Sequence, residues 1–391
     1  IYVVVGTQFA SVIGGGVMVG HVGNAYAVGI GHVIYGVLMV MPLLILMVLA
    51  KWLRKNQFST IPDIIKHYTG GQNKFVNILA AIATMLFPFG WITSQITGLD
   101  YTMLCIIFAA LALLFVMPAG LKTVAWTDFI FACFIVGLMA MISVSATDMA
   151  GGITGIKEGI DPSMLSLSQS VKAIGGNTIL LWFFSIMPGG VTNQIYYQRI
   201  CAMENEKKVN TSLIISAVVS FLAFIWAVFT GITIKAMNPN LETASSATGW
   251  LMTVIPKPIT ACFCAALFAA MMSTVSSGVQ SIVVNVTRDI VPEIKPGISD
   301  KQSLHLSRFL SFVLVAFSLI MCLFFSDTLR KKHFVTNTGI IAGMVCGAAG
   351  GVIGMILQTT INYAALGILF SFIGMIAVSA MTKKSGIINA E

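Results

Sequence analysis

The chain has 391 residues, of which 57% are hydrophobic and only 9% are charged, and its mean hydropathy is +0.93. Soluble domains carry roughly a quarter of charged residues, so this chain has too few charges to cover a water-facing surface. The composition argues against a soluble enzyme, a disordered chain and a nucleic-acid-binding protein. The net charge is +8. Its distribution along the chain is more informative than its size, because Lys and Arg in the loops of a membrane protein collect on the cytoplasmic side of the bilayer.

Eleven segments are apolar over the roughly 20 residues that a membrane-spanning helix needs. They are 1–24, 26–50, 75–97, 101–118, 124–147, 177–198, 209–236, 259–287, 307–325, 337–358 and 361–381. The apolar stretch 75–118 is split at the turn-like residues 97–100, because one helix of that length would be too long for a membrane. The chain opens without Met or a basic leader, so we expect that the start of the protein is missing.

The basic residues orient these spans. If residue 1 lies at the cytoplasmic side, the loops through the ninth span place thirteen Lys and Arg inside, Arg199 among them, and four outside. This is the asymmetry that membrane proteins show. It breaks at Ser326–Val335, which would place Arg330, Lys331 and Lys332 outside. We therefore predict that one helix is lost between Phe325 and Arg330.

Asp128 is the acidic residue that the spans place inside the membrane, about one turn into the fifth span. Charged groups at such positions are costly and usually functional. One interpretation is a carboxylate that the dipole at the start of the helix stabilises. The alternative, which we favour, is a cation ligand or a proton site that faces the interior of the bundle.

Hydroxyl groups form a stripe on the eighth span. Ala270, Ser273, Thr274 and Ser277 follow a helical spacing and share one face, with Ser276 beside them. Such hydroxyls often bond back to carbonyls of their own helix or to a neighbouring helix. Together with a buried acid, the stripe favours a site for a hard cation, because such ions prefer oxygen ligands.

Two spans are interrupted, and they lie five spans apart. The first contains Gly14-Gly15-Gly16 and the sixth contains Pro188-Gly189-Gly190. Each could be a place where helices pack closely. As a pair they favour inverted repeats, in which broken helices surround a central site. The prediction is an all-α polytopic membrane bundle with inverted five-helix repeats. The first occupies 1–147, the incomplete second occupies 177–325, and two C-terminal helices follow at 337–381.

The end of the sixth span carries polar groups that could bind a solute. Asn193 and Tyr196 could form hydrogen bonds with it, or could cap and anchor the helix at the membrane interface. The seven Cys and five His are dispersed, and no nucleophile–base pair, metal-binding His cluster or phosphate loop is present. The sequence therefore predicts a protein that is not an enzyme.

These segments resemble the sodium:solute symporter family, which includes carriers of proline, sugars and sialic acid. The resemblance rests on residues 9–16 with 23–26, on Ser59–Asp63, on Trp126-Thr127-Asp128 and on the serine stripe. It implies the leucine-transporter-like fold. It also implies one sodium site at Ala10, Ile13, Ala270, Ser273 and Thr274, and a second at Asp128, Ser273, Ser276 and Ser277.

For the solute site, the resemblance points to positions on the first, third and sixth spans. They are Gly14, Gly16, Val17, Gln95, Asn193 and Tyr196. The implied function is sodium-coupled uptake of a small polar solute, namely an amino acid, a sugar, sialic acid or a carboxylic acid. Na⁺ is the coupling ion, and we expect the plasma membrane, the inner membrane in a bacterium. The alternatives are proton coupling and an inactive or sensory transporter-like protein.

Overall fold

The computed structural model describes residues 1–69, 121–203, 205–295 and 297–331, with isolated positions 74, 78, 81, 110, 370, 373, 374 and 377. Within these ranges every regular element is helical, as the composition predicts. The expected spans at 75–97, 101–118, 337–358 and 361–381 lie almost wholly outside the described residues. The assignment of two helices to 337–381 therefore stays a prediction.

The first predicted repeat begins with an interrupted helix. Its described helices are α1 (Tyr2–Val12), α2 (Val22–Val28), α3 (Val33–Lys55), α4 (Ile61–Thr69) and α5 (Leu121–Met149). A π-helical turn at Gly16–His21 precedes α2, and a 3₁₀ turn at Gly29–His32 joins α2 to α3.

Short helices then lead into the second predicted repeat. They are α6 (Gly152–Glu158), α7 (Pro162–Leu165) and α8 (Leu167–Ile174). The helices that follow are α9 (Gly176–Val191), α10 (Gln194–Ala202), α11 (Glu206–Met237), α12 (Ala247–Val254), α13 (Lys257–Val284), α14 (Val291–Ile294) and α15 (Asp300–Lys331). A 3₁₀ turn at Ala244–Ser246 precedes α12, and a π-helical turn at Asn285–Ile290 extends α13.

Five helical units in the described ranges are long and apolar enough to cross a bilayer, and a bent pair makes a sixth. The pair joins α8 to the segment 176–202 at an angle of 80°. Large apolar side chains on these helices point outward, as Val48 at 81% and Val144 at 63% exposed show. Such surfaces are stable against lipid and not against water, so the protein is a multi-pass membrane protein.

Helix α1 lies at the centre of the bundle, where it packs against α5, α11 and α13. Its residues from Val5 to Ser11 are all buried. The main core cluster brings Phe9 together with Ile135 of α5 and Phe224 of α11. Because α1 is enclosed on all sides, its polar groups Thr7, Gln8 and Ser11 can be satisfied only by other protein groups.

Two helix ends differ from the prediction. Helix α9 continues through Pro188-Gly189-Gly190 and stops at Val191, so the interruption of the sixth span falls at Thr192 and Asn193. At the end of α9 the Pro188 carbonyl accepts from both the N–H (3.0 Å) and the hydroxyl (2.7 Å) of Thr192. Gly190 serves close packing instead, since a Cβ there would lie 2.5 Å from Pro42 of α3.

The ninth span also extends further than predicted. Helix α15 runs to Lys331 without interruption, so the boundary placed at residue 325 is wrong. The segment Ser326–Lys331 contains no Gly or Pro, and nothing in it ends a helix. Whether a helix is lost next to Arg330 stays a prediction.

Gly6 allows α1 to approach α5 directly beside Asp128. A Cβ at Gly6 would lie 2.7 Å from the Cα of Phe129, and that backbone atom cannot move aside as a side chain could. We expect Gly6→Ala to lower the thermal unfolding temperature of the purified protein in detergent. Overpacking of a tight contact costs about 1–3 kcal/mol.

The matched control for this change is Gly20→Ala. Gly20 lies in the π-helical turn, and a Cβ there meets no atom within 4 Å. An equal fall in unfolding temperature for both variants would show that the close approach of α1 to α5 does not contribute to the stability of the fold.

Candidate functional site

The interruption of the first span frees carbonyl groups inside the bundle. In a continuous helix the Gly14 N–H would bond the Ala10 carbonyl, but here it bonds the Val12 carbonyl at 3.2 Å. Likewise the Val17 N–H bonds the Gly14 carbonyl at 3.1 Å rather than that of Ile13. Ala10 and Ile13 are completely buried. Their carbonyl oxygens therefore have no helical partner, at the two positions where the family resemblance implies sodium ligands.

The hydroxyl stripe lies on the part of α13 that faces the interior. Ala270, Ser273, Thr274, Ser276 and Ser277 are all at most 6% exposed. The Thr274 hydroxyl donates to the Ala270 carbonyl at 3.0 Å, which is the local bond that the alternative interpretation expected. That bond uses the hydroxyl hydrogen and leaves the oxygen lone pairs free to accept or to ligate.

Asp128 is buried at the meeting point of four helices, with 1% of its surface exposed. Its Oδ2 accepts a hydrogen bond of 2.5 Å from the Thr7 hydroxyl of α1. The Ser273 hydroxyl of α13 also lies near this carboxylate, and within the described ranges Ser273 Oγ makes no hydrogen bond of good geometry. The side chain of Asp128 thus points into the bundle and not towards lipid.

Arg199 of α10 is the charged partner that the sequence analysis missed. Its Nη2 lies 3.7 Å from Asp128 Oδ2, and its side chain is 4% exposed. The guanidinium donates to Thr7 Oγ1 at 2.7 and 3.1 Å, to Ser11 Oγ at 3.0 Å, to Ser277 Oγ at 3.0 Å and to the Ile195 carbonyl at 3.1 Å. The placement of Arg199 in a cytoplasmic loop is therefore wrong.

These contacts join four helices into one buried polar cluster. The cluster consists of Thr7, Ser11, Asp128, Arg199 and Ser277, from α1, α5, α10 and α13. Ser11 and Ser277 also bond each other, with their oxygens 3.1 Å apart. Burying charges is costly unless they are paired and bonded, and each member of the cluster supplies part of that compensation. We call this the Asp128–Arg199 cluster.

A cavity lies between α3, α9 and α10. It has a volume of ≈ 290 Å³ and is lined by Val12, Tyr35, Met39, Pro42, Ser185, Ile186, Gly189, Gly190, Asn193 and Tyr196. Asn193 and Tyr196 thus lie where the predicted solute site needs them. We call this space the central cavity, because it adjoins the interruptions of both the first and the sixth span.

The other predicted solute residues lie elsewhere. Gly14, Gly16 and Val17 are not part of the lining, and Val12 takes their place. Val17 is 3% exposed and belongs to the main apolar core. Gln95 is outside the described residues. Tyr35 and Ser185 line the cavity without having been predicted, because a single Tyr or Ser in an apolar run carries no signal of its own.

A further buried acid escaped the sequence analysis. Asp289 has no exposed surface and lies in the π-helical turn that follows α13. Its Oδ1 accepts from the Thr60 hydroxyl at 3.3 Å. Asp128 is therefore not the only acid that the bundle buries. Local sequence does not indicate this burial, because Asp289 stands beside Arg288 at a span end and resembles an ordinary interfacial charge.

Comparison with known proteins identifies the family of the chain. The sequence profile of the sodium:solute symporter family matches residues 2–346. The chain belongs to the sodium:solute symporter family. It is thus a member of a family of transporters and not of enzymes, as the sequence predicts. The high-affinity proline transporter PutP of Bacillus subtilis (strain 168) is 23% identical over 138 residues, which span 32% of this chain and 29% of that transporter.

The fold of this symporter-family chain matches that of a solved relative. A Na⁺-coupled sialic acid symporter in a substrate-bound outward-open state superimposes with a TM-score of 0.71 and 16% sequence identity. The match covers 97% of this chain and 89% of the other. The helix bundle with interrupted first and sixth helices is therefore confirmed.

The Asp128–Arg199 cluster makes a prediction for stability. Asp128→Asn and Arg199→Gln should each destabilise the folded protein by about 3–5 kcal/mol, because each leaves a buried charge without its partner. The double variant should lose less than the sum of the two. The measurement is thermal or denaturant unfolding of all four proteins in detergent. Strictly additive losses would mean that the two side chains do not interact.

Proposed function

We propose that the protein couples the entry of sodium to the uptake of a small polar solute. The observation that carries this proposal is the contact of Asp128 with Thr7 and of Ser277 with Ser11, on the first span next to its freed carbonyls. Carboxylate, hydroxyl and carbonyl oxygens on different helices are the ligands that a hard cation prefers. Membership of the symporter family supports sodium as that ion, and the sodium-coupled solved relative supports it further.

Two sodium positions are proposed. The first uses the carbonyls of Ala10, Ile13 and Ala270 with the hydroxyls of Ser273 and Thr274. The second uses Asp128 with Ser273, Ser276 and Ser277. At the second position Arg199 and Na⁺ would share one carboxylate, so the ion binds only if the guanidinium moves or if its charge is offset by the surrounding hydroxyls. The Asp128–Arg199 cluster would then be the arrangement of the site in the absence of the ion.

The solute is proposed to bind in the central cavity. Asn193 and Tyr196 would hydrogen-bond it, and Tyr35 and Met39 would contact its apolar parts. Because α1 contributes to both the ion and the solute sites, sodium binding would hold the first span in the form that receives the solute. Such coupling is reciprocal and typically amounts to about 1–3 kcal/mol. The membrane potential adds roughly 2.3 kcal/mol per charge per 100 mV.

The sodium sites predict a shift in ion dependence. Ser273→Ala and Thr274→Ala should each raise the sodium concentration for half-maximal uptake severalfold, because each removes one oxygen ligand. Thr287→Ala is the matched control, since Thr287 makes the same local bond to the Val283 carbonyl (2.8 Å) near the end of the same helix. Uptake by proteoliposomes under an imposed sodium gradient gives the measurement. Unchanged sodium activation in both variants would show that neither hydroxyl is a sodium ligand.

Proton coupling is the competing function, and the same assay separates the two. Uptake that continues without sodium and collapses when a protonophore is added would assign the coupling to protons. A panel of proline, sialic acid, glucose and a dicarboxylic acid identifies the solute. Uptake of none of them, with or without a gradient, would favour an inactive or sensory protein.

The solute site predicts a change that leaves the fold intact. Asn193 Oδ1 caps α10 by accepting from the Ile195 N–H at 3.1 Å, so Asn193→Ala would damage the helix as well as the cavity. Asn193→Ser keeps a capping oxygen and removes the amide. It should raise the KM for the solute about tenfold while the sodium dependence stays the same, because one hydrogen bond to a polar ligand is lost. The opposite pattern would place Asn193 outside the solute site.

A further inference from the structure

Besides the central cavity, another cavity lies beyond the Asp128–Arg199 cluster, on the side to which the sequence assigns the cytoplasmic loops. Its volume is ≈ 260 Å³, and it is lined by Gln57, Ser59, Gln198, Cys201, Ala202, Gln280, Val284 and Arg288. Three of these side chains are amides, one is a hydroxyl and one is a guanidinium. We call this space the exit cavity.

Helix α10 connects the exit cavity to the central cavity. Asn193 and Tyr196, at its beginning, line the central cavity, whereas Gln198 and Cys201, near its end, line the exit cavity. At 1.5 Å per residue, the distance from Asn193 to Ala202 is about 13 Å. Gln194 of α10 also bonds the Ser281 hydroxyl of α13 at 2.6 Å, which ties the start of α10 to α13. The exit cavity is thus the next space along the same helix.

The wall of the exit cavity offers hydrogen-bond donors that are not used within the protein. Gln198 is 7% exposed, and its Nε2 has no hydrogen-bond partner among the described residues. A buried amide nitrogen without a partner is costly, so a ligand or water is expected to accept from it. Arg288 bonds the Ser59 hydroxyl at 2.7 Å and forms no ion pair with any described carboxylate.

Two carboxylates lie near Arg288, those of Asp63 and Asp289, and neither lines the exit cavity. Asp289 is buried and accepts from the Thr60 hydroxyl at 3.3 Å. Asp63 accepts from the N–H groups of Ser59 and Thr60 at 3.2 Å, and the Thr60 hydroxyl accepts from the Asp63 N–H at 3.2 Å. This reciprocal pair caps the start of α4, which explains the Ser59–Asp63 motif. Arg288 is the one charged side chain among the described residues that line the exit cavity, so the cavity favours an anion.

We propose that the exit cavity binds a carboxylate group, with Arg288 and the Gln198 amide as its donors, and that the transported solute occupies it on leaving the central cavity. The second part of this proposal rests on the proposed function, since it requires transport, and it implies that the solute carries a carboxylate. The first part is a property of the cavity alone and is tested without any transport assay.

Cys201 provides the probe, because its thiol lines the exit cavity and the side chain is only half-buried. The full chain is treated with an anionic or a cationic methanethiosulfonate of similar size, and the adduct on Cys201 is measured by peptide mass spectrometry. The anionic reagent should react faster. In Arg288→Gln the ratio of anionic to cationic rates should fall roughly fivefold, as expected for the loss of one nearby charge in a wet cavity.

Lys295→Gln is the matched control, because Lys295 is exposed on the same side and does not line the cavity. It should leave the ratio unchanged, and Cys201→Ala should abolish the adduct. A ratio that does not change in Arg288→Gln, or that changes equally in Lys295→Gln, would overturn the anion preference.

A second measurement distinguishes a carboxylate from other ligands. Acetate should slow the modification of Cys201, whereas acetamide and an equal concentration of chloride should not. The protection should be lost in Arg288→Gln and in Gln198→Met, which keeps the side-chain length and removes the amide. Equal protection by chloride or acetamide would overturn the assignment of a carboxylate. Because neither measurement needs sodium, a failure of sodium-driven uptake would leave this result standing.

Discussion

The bundle depends on the compensation of one buried charge by another. Asp128 and Arg199 are both enclosed, and each would cost several kcal/mol if it stood alone inside the protein. They are held by hydroxyls of α1 and α13, so the same contacts that satisfy the charges also fix the relative positions of α1, α5, α10 and α13. Three of them, α1, α5 and α13, carry the proposed sodium ligands. A cation that bound beside Asp128 would change the balance of charge in the cluster, and a movement of Arg199 in response would act on α10.

Helix α10 connects Arg199 to both cavities. Asn193 and Tyr196 line the central cavity, Arg199 lies in the cluster, and Gln198 and Cys201 line the exit cavity. One helix of nine residues thus contacts the proposed solute site, the proposed ion site and the proposed route of release. A rotation or shift of α10 would act on all three together. This is the property that a coupled carrier needs, because ion and solute must favour the same conformation.

Much of this arrangement could be predicted from the sequence. Long apolar segments specify the spans, because their exposure to water would be unfavourable. Asp128 and the hydroxyls at helical spacing specify the inward face of the bundle, because polar groups are costly against lipid. Arg199 could not be predicted, since it stands close in sequence to the polar residues 204–208 and only its distance to Asp128 reveals the pairing. The interruption of the sixth span was misplaced because Pro188 and Gly190 have two uses, and here Gly190 serves the contact with Pro42. Local sequence does not distinguish a glycine that breaks a helix from one that lets two helices meet.

The central claim is that the oxygens around Asp128, Ser273 and the interrupted first span bind sodium in preference to other cations. The most direct test is the unfolding temperature of the purified protein in detergent as a function of sodium concentration, with potassium or choline replacing sodium at constant ionic strength. A ligand that binds only the folded state stabilises it by about 2.7 kcal/mol at one hundred times its dissociation constant. The account predicts that the unfolding temperature rises with sodium and not with potassium, and that the rise is smaller in Asp128→Asn. Equal stabilisation by both ions, or none by either, would contradict it.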